Sequence, residues 1–330
     1  MTSFGARLDA ALDARGSTCV GIDPHPALLA AWGLPEDVGG LVRFAETCAA
    51  AFGPTAAVVK PQSAFFEAYG AAGIAVLEDT VRACRAAGAL VLLDAKRGDI
   101  GTTMATYARA YLDPAAPLAV DAITLSPYLG VGSLDPAFEL CAQFGTGAFV
   151  LALTSNPQGP QLQRAQTDGG RVVAQVVIDE LAERNRGASP IGSLGAVVGA
   201  TIVGAPVRLD ALNGPFLVPG IGAQGGTADD VRRIFGAGLR NVVPSVSRQV
   251  LRHGPDVHAA HGGGGTERDV RLLARLTHPR EVQPAFLRSQ HGLRPRDPCG
   301  EYRSRGLWPK HPSHILDSPQ GRIRSDTHHR

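Results

Sequence analysis

Residues 89–103 read ALVLLDAKRGDIGTT. Ala89–Asp94 is a short, almost wholly apolar run with no polar alternation, the pattern of a strand covered on both faces. A glycine-containing turn follows, and then Met104–Tyr111, a stretch of helical composition. Strand, turn and helix in that order make one unit of a parallel α/β fold.

The same unit recurs along the chain. Seven further apolar runs predict strands at Thr18–Asp23, Ala56–Lys60, Ala122–Ser126, Ala148–Thr154, Gly195–Ala200, Phe216–Pro219 and Asn241–Pro244. Helical segments are expected to fill the gaps, among them Gly73–Ala86, Arg171–Arg184 and Ala228–Phe235. Eight such units over about 250 residues match the size and count of a (β/α)8 TIM barrel. An open, doubly wound sheet is the alternative that strand counting leaves standing.

Bulk properties narrow the function classes. The 330 residues carry 32 basic and 30 acidic side chains, a net charge of +2 that gives no polyanion-coating surface. The first residues hold no continuous apolar core and no stretch approaches 18 apolar residues, so neither a signal peptide nor a membrane span is expected. Five cysteines, Cys19, Cys48, Cys84, Cys141 and Cys299, are scattered and form no CxxC pair. A reduced, cytoplasmic protein without a zinc site is the plain reading.

Lysine usage points to the chemistry. Of the 32 basic residues only Lys60, Lys96 and Lys310 are lysine, and the first two end apolar runs where a charge is costly. Asp94 and Lys96 lie two apart at a strand end, so strand alternation places them on one face. In a TIM barrel that end is the catalytic rim. Asp99 follows in the turn, which puts two carboxylates around one ammonium; an ordinary strand-end ion pair is the bland reading. Further along, PGIGAQGG (residues 219–226) lets backbone approach a phosphate closely. Gln224 in that loop and Arg248 after the eighth strand fall where TIM barrels commonly bind phosphate.

These motifs together resemble the orotidine monophosphate decarboxylase family, in its second subgroup. DAKRGDIGTT is similar to that family's DxKxxD signature. GIDPHP resembles its first-strand motif, VVKPQSAFFE its second, and ITLSPYLG its fourth. ALTSNPQG, LVPGIGAQGG and VPSVSRQVL complete the series, and the likeness covers roughly residues 4 to 255.

The resemblance implies a cofactor-free decarboxylation of orotidine 5′-monophosphate to UMP, with no metal ligand. It implies a charged network of Lys60, Asp94, Lys96 and Asp99, with Lys96 as proton donor to C6. It assigns Asp23 to the ribose and Ser155 to the pyrimidine base, places Ser126 of the fourth-strand segment among the substrate-binding residues, and gives Pro219, Gln224, Gly225 and Arg248 to the phosphate grip. It further implies a homodimer in which Asp99, Ile100 and Thr103 enter the partner's site. Magnesium-using relatives in the same superfamily are the nearest rivals, but their second-strand acidic ligand is replaced here by Lys60.

The barrel domain is expected to span residues 1–276, with a last outer helix capped near Thr266 and Asp269 and running to about Leu276. Thr277–Arg330 loses apolar periodicity and collects Pro, Arg and six of the ten histidines. It reads as an irregular, loosely attached tail. A non-catalytic barrel with a nucleic-acid-binding tail is the rival from another class, though no nucleic-acid or membrane partner is expected.

Overall fold

Every one of the eight expected strands forms. They are β1 (Cys19–Ile22), β2 (Val58–Pro61), β3 (Leu90–Arg97), β4 (Ala122–Leu125), β5 (Gly147–Leu153), β6 (Leu194–Val198), β7 (Phe216–Val218) and β8 (Val242–Val246). All neighbouring pairs are parallel, and β8 returns to pair with β1 through Cys19 opposite Ser245 and Val20 opposite Val246. That closure selects the barrel over the open sheet. The computed structural model describes residues 1–255, except 203, 205, 206 and 222–224. Gln224, the capped helix expected over residues 266–276 and the tail from 277 onward lie outside the described residues.

Helices cover the barrel. α1 (Phe4–Arg15) precedes β1; α2 (Pro26–Ala31) and α3 (Val38–Phe52) follow it; α4 (Ser63–Glu67) and α5 (Gly70–Ala86) follow β2. α6 (Gly101–Leu112), α7 (Asp135–Phe144), α8 (Pro160–Gln163) and α9 (Val173–Arg184) come after β3, β4 and β5. α10 (Ala228–Phe235) joins β7 to β8, and the short α11 (Arg248–Leu251) follows β8. One expected unit is incomplete: none of the described residues between β6 and β7 is helical. Gly204 there, with a φ of 79°, and Pro215 in the same connection work against a helix.

Six strands, β1, β2, β4, β6, β7 and β8, are buried at every position. This explains their largely apolar sequence, since helices cover one face and the barrel interior the other. The interior is filled from below by α1, which the sequence reading did not identify. Phe4, Leu8 and Leu12 recur every four residues on one helix face and are all buried, and Ser3 caps the helix by accepting from the Ala6 N–H. They pack with Cys19, Val58, Leu92, Ala122, Phe149, Val197, Leu217 and Val243 of the strands. The Phe4 and Phe149 rings meet edge to face at 6.1 Å. Burying each large apolar side chain contributes roughly 1.5–3 kcal/mol, so the plug helps hold the barrel shut at its N-terminal end.

Candidate active site

Moving two residues along the strands from that apolar filling changes the chemistry. Val58 gives way to Lys60, Leu92 to Asp94, Ala122 to Thr124, Leu217 to Pro219 and Val243 to Ser245. All five of the later residues line a cavity of about 640 Å³. Asp23, Lys96, Ser155 and Arg248 line it too. Seven of the residues singled out from sequence therefore share one cavity, namely Asp23, Lys60, Asp94, Lys96, Ser155, Pro219 and Arg248.

Its charged wall is a continuous chain of contacts. Lys60 Nζ lies 3.1 Å from Asp94 Oδ2, and Lys96 Nζ lies 2.6 Å from Asp94 Oδ1. Lys60 is buried, whereas the Lys96 side chain is 45% exposed, so it faces the open cavity. Burial alone pulls the Lys60 ammonium toward a lower pKa, but Asp23 and Asp94 outweigh it and hold the group above its ordinary value. Burial likewise works to raise Asp94. Lys60, Lys96 and hydrogen bonds from Lys96 and Thr124 overcome that, and the carboxyl stays below its usual range. Lys60 and Asp94 are thus both ionised across neutral pH.

Asp94 and Lys96 meet, but not by simple alternation along a strand. The pairing of β3 with β4 shifts register between Leu93 and Arg97. Lys96 adopts a left-handed backbone with φ 48°, uncommon for a residue bearing a Cβ. Its N–H donates to Thr124 Oγ1 at 2.9 Å. A backbone kink of this kind, concentrated at a site lined with charges, is where functional strain is typically held.

On the cavity wall, Asp23 Oδ1 and Ser155 Oγ are buried with no hydrogen-bond partner among the described residues. Gly199 gives Ser155 its room, because a Cβ there would sit 2.1 Å from the serine Oγ. Gln62 Oε1 is also buried, unpaired and part of the lining. The sequence reading passed over Gln62 and Thr124. The signal was present, since each is a polar residue in or just after an otherwise apolar strand.

The remaining candidates lie elsewhere. Asp99, Ile100, Thr103, Ser126 and Gly225 are not among the cavity's lining residues. Asp99 Oδ1 accepts from the Ile100 N–H at 2.8 Å, Ile100 is 62% exposed, and Thr103 is exposed on α6. Ser126 serves the turn through its backbone. Its N–H donates to the Arg97 carbonyl at 2.8 Å, and its own carbonyl would lie 2.3 Å from a Cβ on Gly98. Among the described residues no group of three His, Cys, Asp or Glu could hold a metal ion. No described helix is long and apolar enough to cross a membrane.

Comparison with known sequences identifies the family. The profile of the "Orotidine 5'-phosphate decarboxylase / HUMPS family" matches residues 17–262. The chain belongs to that family. Among the relatives of this family member is the orotidine 5′-phosphate decarboxylase of Salinispora arenicola, 62% identical over 259 residues, which span 78% of this chain and 93% of the relative. That of Streptomyces coelicolor is 59% identical over 259 residues, again 78% of this chain and 93% of the other. A crystal structure described as an orotidine 5′-phosphate decarboxylase from Streptomyces avermitilis superposes with a TM-score of 0.78 and 56% identity, covering 84% of this chain and 95% of that one.

Proposed function

We infer that this member of the orotidine 5′-phosphate decarboxylase / HUMPS family is a carboxy-lyase that converts orotidine 5′-monophosphate to UMP in pyrimidine biosynthesis. The observation that carries this reading is the contact chain Lys60–Asp94–Lys96 in the same cavity as Arg248. It offers a cationic proton donor beside one part of a nucleotide and an arginine for its phosphate.

In this reading the bond between C6 and the carboxylate breaks, carbon dioxide leaves, and the electron pair stays at C6. The Lys96 ammonium stabilises that charge and then donates its proton to C6, to be reprotonated from solvent. Asp94 orients Lys96 and lies near the departing carboxylate. Lys60, held charged in the wall, fixes Asp94 from the other side. Asp23 takes a ribose hydroxyl with its unpaired oxygen, and Ser155 turns its free hydroxyl to the base, with Ser126 supporting the neighbouring turn. Pro219, Gln224, Gly225 and Arg248 grip the phosphate, Arg248 as a charge-assisted donor. Binding at that remote end is used to orient the base over the charged wall.

The acting unit is a homodimer in which Asp99, Ile100 and Thr103 complete the partner's site. What supports this is the apolar surface around Asp99: Ile100, Tyr107, Tyr128 and Leu129 are 62%, 37%, 74% and 52% exposed. Exposed large apolar side chains on neighbouring segments are a usual mark of a protein–protein contact.

Lys96→Ala tests the reading. Losing both the charge and the proton donor is expected to lower kcat by at least about 10³-fold, while UMP still binds. Turnover near the wild-type rate would remove Lys96 from its role.

A further inference from the structure

We propose that Thr124 of β4 is the positioning residue that holds the Lys96–Asp94 pair in its working geometry. The inference rests on the activity proposed above. β4 reads AITL, and all four residues are buried, Thr124 at 1% exposed. A valine would satisfy the strand and the packing equally well, since it shares the branched shape. The hydroxyl is therefore the feature to explain, because a buried polar group is costly unless it is bonded.

It is bonded in both directions. The Lys96 N–H donates to Thr124 Oγ1 at 2.9 Å, and Thr124 Oγ1 donates to Asp94 Oδ1 at 2.9 Å. The same Oδ1 accepts from Lys96 Nζ at 2.6 Å. A hydroxyl has one hydrogen to give and lone pairs to accept with, so a single atom fills both roles without conflict. The first bond pins the backbone of Lys96 at its left-handed φ of 48°, where the β3–β4 register shifts. The second fixes the carboxylate that the Lys96 ammonium reaches. Thr124 thus ties the backbone and the head group of one lysine to a common point. Such a device belongs at a site where the backbone is strained and ångström-scale placement of a proton donor decides the rate.

The test compares Thr124→Val with Thr124→Ser. The valine keeps the shape and deletes the hydroxyl; the serine keeps the hydroxyl and deletes the methyl. Thr124→Val is expected to lower kcat by about 10²-fold, the scale of a misplaced catalytic group. Its KM for orotidine 5′-monophosphate and its binding of UMP should stay near wild type, because the phosphate contacts lie on the far strands. Thr124→Ser should recover most of the lost kcat. If the valine chain does not fold, Thr124→Ala is read in its place, with the same loss expected. A valine or alanine variant with wild-type kcat overturns the proposal, as does a serine variant that falls as far as the valine. Absence of turnover in the wild-type protein would instead defeat the activity on which the proposal rests.

Discussion

The two ends of this barrel are built from the same strands and do opposite work. At the N-terminal end, α1 drives Phe4, Leu8 and Leu12 into an interior lined by Val58, Leu92, Ala122, Phe149 and their neighbours. Two residues later the same strands present Lys60, Asp94 and Thr124 to an open cavity. The lower end is closed by apolar burial, which is non-directional and tolerant of shape. The upper end holds ionised groups through specific bonds, which costs desolvation and strain and returns chemistry. A fold can carry that upper end because apolar burial elsewhere, the lower end included, supplies the stability.

Substitutions at the two ends should separate these roles. The largest effect is expected from Lys96→Ala, with turnover lost by at least about 10³-fold and little change in unfolding free energy. The shared-site reading is sharpened by mixing Lys96→Ala chains with Asp99→Ala chains. Each parent should be inactive, and hybrid dimers should regain up to about a quarter to a half of the activity per dimer population, since one site then receives both intact groups. Inactive hybrids formed from folded parents would contradict it.

Phe4→Ala, at the closed end, should do the reverse. Truncating this 1%-exposed ring is expected to lower stability by about 3–5 kcal/mol in a denaturant titration. The activity per folded molecule should be preserved. A variant with normal stability and impaired turnover would break the division between the ends.

The Lys60–Asp94 pair gives a subtler test through pH. Asp94 is held below its ordinary value, so its contribution to stability is present above about pH 4 and lost as pH falls through the folded value. Lys60 is held above its ordinary value, so its contribution is present below about pH 10.4 and lost only as pH rises through the higher folded value. The stability difference between the wild type and a Lys60→Met/Asp94→Leu double variant should therefore be flat from about pH 5 to 9 and change below pH 4. The smallest effect concerns metal: EDTA should leave the rate unchanged, and a chelator-sensitive rate would favour the magnesium-using relatives.

Much of this was legible from sequence because the relevant signals are local. Largely apolar runs marked the eight strands, since burial on both faces of most of them leaves little alternation to read. Lys60 and Lys96 stood out because lysine is rare here and each ends such a run. What was missed depended on long-range partners. The plug helix α1 has a clear Phe4, Leu8, Leu12 spacing, but the cavity it fills is made by strands far along the chain. Thr124 looks like an ordinary strand residue until β3 kinks beside it. The meeting of Asp94 with Lys96 was expected from strand alternation, whereas the structure achieves it through a register shift and a left-handed lysine. Nothing in the residue spacing announces that kink.

Decarboxylation of a pyrimidine nucleotide at the charged rim, with Lys96 facing the cavity, is the activity on which the roles above depend. It is tested most directly by following orotidine 5′-monophosphate absorbance in the presence of the purified protein while measuring released carbon dioxide. A steady loss of substrate matched one for one by carbon dioxide is expected, with UMP as the product. Unchanged substrate in the presence of folded protein would contradict it.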